Sequence, residues 1–202
     1  MTVLPVSAGD LESAVVHGLA AAESALSDLL GRRVEASLLS VSEAELNQVD
    51  APWLSGESMA VALYQYFDGA MTGHCLVMME PGAAADLARQ LWGDTGRAEA
   101  PPDPLQDEAY LSALLELGNI LAGRFLGGMA DHLRLEVLPT PPASTVDSAA
   151  ALFNSLVAAG AQFARRIVMV AASFSVEGLP VPVTLALIPT QFPGAAAPGG
   201  ER

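Results

Sequence analysis

One order of elements occurs twice along this chain, and that duplication constrains the fold more than any composition figure. Residues 10–31, DLESAVVHGLAAAESALSDLLG, show the apolar spacing of a helix that Asp10 can cap and Gly31 can stop. They run into RRVEASLLSV, where the pattern turns strand-like. Leu105 to Leu133 read as a second, longer helix of about 40 Å, and they run into the extended HLRLEVLPT. Each half then carries a hairpin. The first is MAVALYQYF and GHCLVMM around DGAMT; the second is RRIVMVAASFSV and LPVPVTLALIP around Glu177-Gly178. Matching positions lie roughly 100 to 105 residues apart, and a repeat in element order as well as residue type is a duplication.

Neither half has enough sheet to bury both of its faces, and joining the halves solves this. The expectation is an α+β fold. It is a pseudo-two-fold duplicated domain with a continuous, mostly antiparallel sheet and two long helices packed on one side. The single domain spans residues 10–192, with internal halves of about 10–96 and 105–192. An extension, 1–9, precedes it, and the tail 193–202, which contains PGAAAPGGER, reads as disordered. PGAAADLARQLWG is a shorter helix with Pro81 in its first turn. Residues 43–57 are acidic and irregular, and TGRAEAPPDPLQD is a break. ALFNSLVAAGAQFA stands between helix and half-buried loop, with helix favoured. Pro180 and Pro182 put the start of the last strand near an edge or a bend.

Nine basic against twenty-three acidic residues leave a net charge of −14. Such a chain repels nucleic acid and anionic membrane, while a partner with a basic patch is compatible with it. The lone cysteine, Cys75, excludes an internal disulfide and reads as a buried strand thiol. His17, His74 and His132 lack zinc spacing, so no metal site is expected. Neither a signal peptide nor a bilayer-spanning run is legible, which gives a cytoplasmic protein without membrane insertion as the expectation.

Within the second helix lies ELGNILAG, Glu116 to Gly123. Leu111, Leu114, Leu115, Gly118, Leu121, Ala122 and Phe125 form an apolar stripe, and Ser112, Glu116, Asn119 and Gly123 share another face at helical spacing. Asn is a poor residue within a helix, and each glycine costs about 1 kcal/mol relative to alanine there. A surface Glu–Asn pair beside glycines that let helices pack closely accounts for the pattern; so does a face kept low for another protein. The residues alone contain no nucleophile–base set and no phosphate-cradling loop.

The run ELGNILAG, preceded by DEAYLSALL and followed by MADHL, resembles the active helix of the CheC/CheX/FliY-type phosphatases of bacterial chemotaxis. FDGAMTGHCLVMMEPGAAADLARQLWG is similar to that family's central hairpin and following helix, and ALSDLLGRRVEASLLSV to its first helix and strand. The resemblance covers about residues 10–192 and implies the same duplicated fold. It also implies that Glu116 and Asn119 hasten loss of the aspartyl phosphate from a CheY-like response regulator. Asn119 orders water, and Glu116 pairs with a receiver lysine. Ser112, Gly118 and Gly123 support the partner's approach, although packing within the chain accounts for the two glycines as well. Mg²⁺ belongs to the receiver, and this chain binds no cofactor of its own. Family members with two sites repeat Glu and Asn on the first helix, where Ser13 and Val16 stand here, so that site is degenerate. Asp107 caps or supports the second helix and has no assigned chemical role. A CheD-like receptor deamidase is a further expected partner. The rival reading is a non-catalytic interaction or scaffold module that binds a receiver or such a deamidase.

Overall fold

The computed structural model describes residues 8–45, 58–92, 104–161, 166–179 and 183–191. Helix α1 (Ala8–Leu30) leads into β1 (Val34–Glu45), and the hairpin β2 (Met59–Gly69) and β3 (Thr72–Met79) precedes α2 (Pro81–Trp92). A single 3₁₀ turn, Pro104–Gln106, introduces α3 (Glu108–Leu133). Then come β4 (Val137–Pro139), β5 (Ala143–Ser148), α4 (Ala149–Ala161), β6 (Arg166–Val176) and β7 (Val183–Gln191). α1 begins at Ala8, which puts Asp10 inside the first turn, where its charge suits the helix dipole. Residues 43–45 are the end of β1 and not irregular chain, because they pair with 166–168 of β6. The rest of that acidic stretch, most of the break before Pro104, Pro180, Pro182 and the tail lie outside the described residues.

The seven strands form one sheet in the order β1-β6-β7-β3-β2-β4, with β5 also on β2, and every described pairing is antiparallel. The halves are interlocked. Strand β1 of the first half pairs with β6 of the second, while β4 and β5 of the second pair with β2 of the first. Neither half therefore closes its own sheet, which is why a duplicated sequence makes a single body.

Register makes the pseudo-symmetry quantitative. The left-handed residues that end α1 and α3 are Gly31 (φ 59°) and Arg134 (φ 54°), and β1 and β4 start at Val34 and Val137. Both comparisons give an offset of 103 (134 − 31; 137 − 34). Val34 pairs with Val176 and Val137 with Gly69, so β2 and β6 correspond at an offset of 107 (176 − 69). That places Phe67 on Phe174, and both rings are fully buried.

Alternation along the strands assigns two faces. Val61, Leu63, Phe67, Cys75, Val77, Val170, Ala172, Phe174, Leu185 and Leu187 point to the layer that holds α1, α2 and α3. Ala60, Ala62, Leu76, Met78, Met169, Ala186 and Ile188 point the other way and pack on Leu152 and Phe153 of α4. The two long helices share one face, as the duplication predicts. The segment ALFNSLVAAGAQFA is a helix to Ala161, and it covers the opposite face in place of a loop. Truncating Phe67 or Phe174 to alanine is expected to cost about 3–5 kcal/mol.

Close approach explains part of the glycine content of α3. A Cβ on Gly128 would stand 2.8 Å from the His17 carbonyl oxygen and 2.9 Å from the Gly18 Cα, where the two long helices cross. Gly118 is buried, and a Cβ there would meet Leu63 Cδ1 at 2.7 Å and Leu63 Cβ at 3.0 Å. A Cβ on Gly123 would meet nothing within 4 Å. Gly118→Ala is therefore expected to destabilise the fold by about 1–3 kcal/mol through overpacking. Gly123→Ala is expected to stabilise it by up to about 1 kcal/mol through helix propensity. Urea unfolding of the two variants checks the opposite signs.

Among the described residues, burial shifts the pKa of two strand side chains, Cys75 and His74. Burial pushes the Cys75 thiol up to about 12, which makes it an inert core group. Burial also lowers the pKa of His74, whose ring meets Tyr66 edge-on at 5.4 Å between centroids. The fold thus favours neutral His74. Below its ordinary value of 6.5 the unfolded chain takes up the proton first, so stability is full above that pH and declines as pH falls. His74→Gln is expected to flatten the decline between about pH 7.5 and 5.5, read from urea midpoints.

Candidate functional site

The site is built from the second long helix outward. Asp107, in extended backbone at the N-cap, accepts from the backbone N–H groups of Ala109 and Tyr110 through Oδ1 at 3.0 and 3.4 Å. This is the capping role expected for it, and it leaves Asp107 a structural group. At the other end Arg134 adopts the left-handed conformation, and its N–H reaches Ala130 O and Asp131 O. Between these caps, Tyr110, Leu114, Leu117, Gly118, Leu121, Ala122, Phe125, Leu126, Met129 and Ala130 are buried. Leu117 belongs to this stripe, whereas Leu111 and Leu115 are only partly covered.

With those residues inward, helix geometry turns Ser112, Glu116 and Asn119 to the outside, and all three are exposed. Gly123 lies half-buried one turn beyond Asn119, with open space at its Cα. Gly118 does not belong to that outer surface. It faces Leu63 on β2, so its small size serves helix-on-sheet packing and not the approach of a partner. Of the two accounts open for Gly118, packing within the chain is the one its geometry fits, and its expected support of a partner's approach is corrected. Residue 118 lies about 100° from 119 around the helix and points inward.

Asn119 is tied to the sheet by a polar contact. Gln65 Nε2 donates to Asn119 Oδ1 at 3.2 Å. Gln65 is the only buried polar side chain among the described residues, at 2% exposure, and its Oε1 has no hydrogen-bond partner. Gln65 was not singled out from the sequence, although a signal was present. In MAVALYQYF the positions 61, 63, 65 and 67 share the core phase of the strand, and a carboxamide among Val, Leu and Phe breaks that stripe. Glu116 forms no ion pair with another described residue. Its carboxylate and the Asn119 amide are thus presented together, an acceptor-only anion beside a group that both donates and accepts.

The offset of 103 places Ser13 and Val16 of α1 opposite Glu116 and Asn119, and both are exposed, Val16 at 53%. The first helix therefore presents the same face without the carboxylate or the amide. His17 and His132, far apart in sequence, stack across the two helices at 4.2 Å between centroids. Among the described residues no three His, Cys, Asp or Glu side chains come together in a metal-binding group. No described helix is long and apolar enough to cross a membrane.

Residues 110–146, which include Glu116 and Asn119, match the CheC-like family. The chain is 30% identical over 141 residues to a Bacillus subtilis protein named CheY-P phosphatase CheC, and the match covers 68% of this chain and 63% of that relative. It thus spans less than two thirds of the relative's length. The fold is similar to that of Thermotoga maritima FliY, with a TM-score of 0.64, 16% identity and coverage of 92% of this chain and 91% of that one. It is also similar to a chain of the CheX–CheY–BeF3–Mg²⁺ complex from Borrelia burgdorferi, with a TM-score of 0.57, 18% identity and coverage of 88% and 97%. A duplicated fold of this topology, with the family segment running from the second long helix through β4 into β5, is a CheC-like architecture: the chain belongs to the CheC-like family.

Proposed function

We propose that this chain hastens hydrolysis of the aspartyl phosphate on a CheY-like receiver domain and that Glu116 and Asn119 carry the reaction. The observation that supports this most is their joint exposure on α3, inside the segment that matches the CheC-like family. The name of the Bacillus subtilis relative and the receiver bound to CheX in the Borrelia burgdorferi complex point to the same class of partner. A protein-borne phosphate suits a convex helix face, because the substrate arrives on its own scaffold and needs no deep pocket in this chain.

In this reading the receiver lays its phosphorylated aspartate against the outer face of α3 and brings its own Mg²⁺. The Asn119 amide holds a water in line with the bond between phosphorus and the aspartyl oxygen. Water attacks phosphorus, that bond breaks, and inorganic phosphate leaves as the aspartate regains its carboxylate. Asn119 cannot take a proton at ordinary pH, so it contributes by positioning. Positioning with electrostatics is the ordinary protein contribution to phosphoryl transfer. Glu116 adds docking and orientation through a cationic side chain of the receiver, and the net charge of −14 assists encounter with a basic surface. Ser112 and Gly123 border the contact. A CheD-like deamidase is a second proposed partner.

Asn119→Ala is expected to return phosphate loss to the receiver's own rate, a drop of about a hundredfold or more in the acceleration. Glu116→Ala is expected to raise KM for the phosphorylated receiver about tenfold, with the larger effect at low salt. Ser13→Ala is expected to leave the rate unchanged. Loss of acid-labile phosphate from the receiver, followed with time, reads all three. A wild-type chain that binds the receiver without speeding phosphate loss would instead be an interaction module.

A further inference from the structure

We infer that Gln65 is a positioning residue of this site: from the sheet beneath, it holds the Asn119 carboxamide in one working orientation. The inference rests on the proposed role of Asn119 and adds a residue from a different element. Gln65 Nε2 donates to Asn119 Oδ1 at 3.2 Å, which takes one of the two lone pairs of the amide oxygen and fixes which end of the amide faces the sheet. The Nδ2 end is left for a group arriving from outside. An exposed Asn on a helix ordinarily samples several rotamers; one anchored to a core side chain gives up that freedom before the partner arrives.

Two observations separate this role from ordinary packing. The first is cost. Gln65 is buried to 2% exposure on a strand face otherwise made of Val61, Leu63 and Phe67, and its Oε1 is unpartnered. A buried acceptor without a partner destabilises the fold, so stability alone would select an apolar residue here.

The second is the other half of the molecule. Gln65 corresponds to Ala172 at the offset of 107 that superposes Phe67 on Phe174, and Asn119 corresponds to Val16 at the offset of 103. Ala172 is fully buried. Where the helix carries Val in place of Asn, the strand beneath carries Ala in place of Gln. The same architecture thus stands on an apolar pair, and the polar residues of strand and helix occur together only in the half that presents Glu116.

Gln65→Met keeps length and volume and removes both amide groups. In the full chain, with the CheY-class receiver on which the wild type acts and acetyl phosphate as phosphodonor, kcat is expected to fall about tenfold or more. KM for the phosphorylated receiver should stay within about twofold, and the thermal midpoint should be unchanged or higher, because a buried acceptor without a partner is gone. In a nitrogen-15 spectrum the Asn119 side-chain amide should be rigid in the wild type and mobile in the variant. Gln65→Leu, read by the same measurements, serves if the Met variant fails to fold.

Wild-type kcat in a folded Gln65 variant, while Asn119→Ala is inactive, would overturn the positioning role and leave the proposed function standing. Full activity in Asn119→Ala would overturn the proposed function and this inference with it. A fall in kcat that merely tracks a lower thermal midpoint, or an Asn119 amide already mobile in the wild type, would also overturn the positioning role.

Discussion

How α3 is seated on β2 fixes which of its residues face outward. Gly118 lies against Leu63 so closely that a single added carbon would collide with it. Helix geometry then leaves no choice: with residues 114, 117, 118 and 121 inward, residues 112, 116 and 119 must face out. The same close approach brings Asn119 within reach of Gln65, a strand residue two positions along from Leu63 on the same face. A glycine that looks at first like a feature of the outer surface in fact works from beneath, by setting the height of the helix above the sheet.

Interlocking of the halves supplies the frame for that contact. Because β4 and β5 lie beside β2, the strand beneath α3 is flanked by chain from both halves. The α1–α3 crossing at Gly18 and Gly128 holds the two long helices against each other on the same layer. Site and core therefore share elements, and a change in the seating of α3 would move both. The opposite face of the sheet, covered in part by α4, is free of that coupling and has a separate small core around Leu152 and Phe153.

The pseudo-symmetry also works as an internal comparison. Both halves keep features that fold the chain, such as a buried Phe at 67 and 174 and a left-handed helix end at Gly31 and Arg134. They differ where the outer helix face and the strand below it carry polar groups. Ser13, Val16 and Ala172 stand in one half for Glu116, Asn119 and Gln65 in the other.

By itself the sequence determined the duplication, both long helices, the two hairpins and the outward pairing of Glu116 with Asn119. Each of these follows from local periodicity: 3.6 residues per turn on the helices and two on the strands. Resemblance to the CheC-like family implied that Ser13 and Val16 hold degenerate first-site positions, and the left-handed helix ends Gly31 and Arg134 set them opposite Glu116 and Asn119. Tertiary packing settles which half's strand pairs with which hairpin, the place of α4 across the sheet from the other helices, and the contact of Gly118 with Leu63. It alone brought Gln65 to Asn119. These are contacts between elements distant in the chain, and no local period encodes them; whether a glycine is small for its own core or for a visitor depends on what stands opposite.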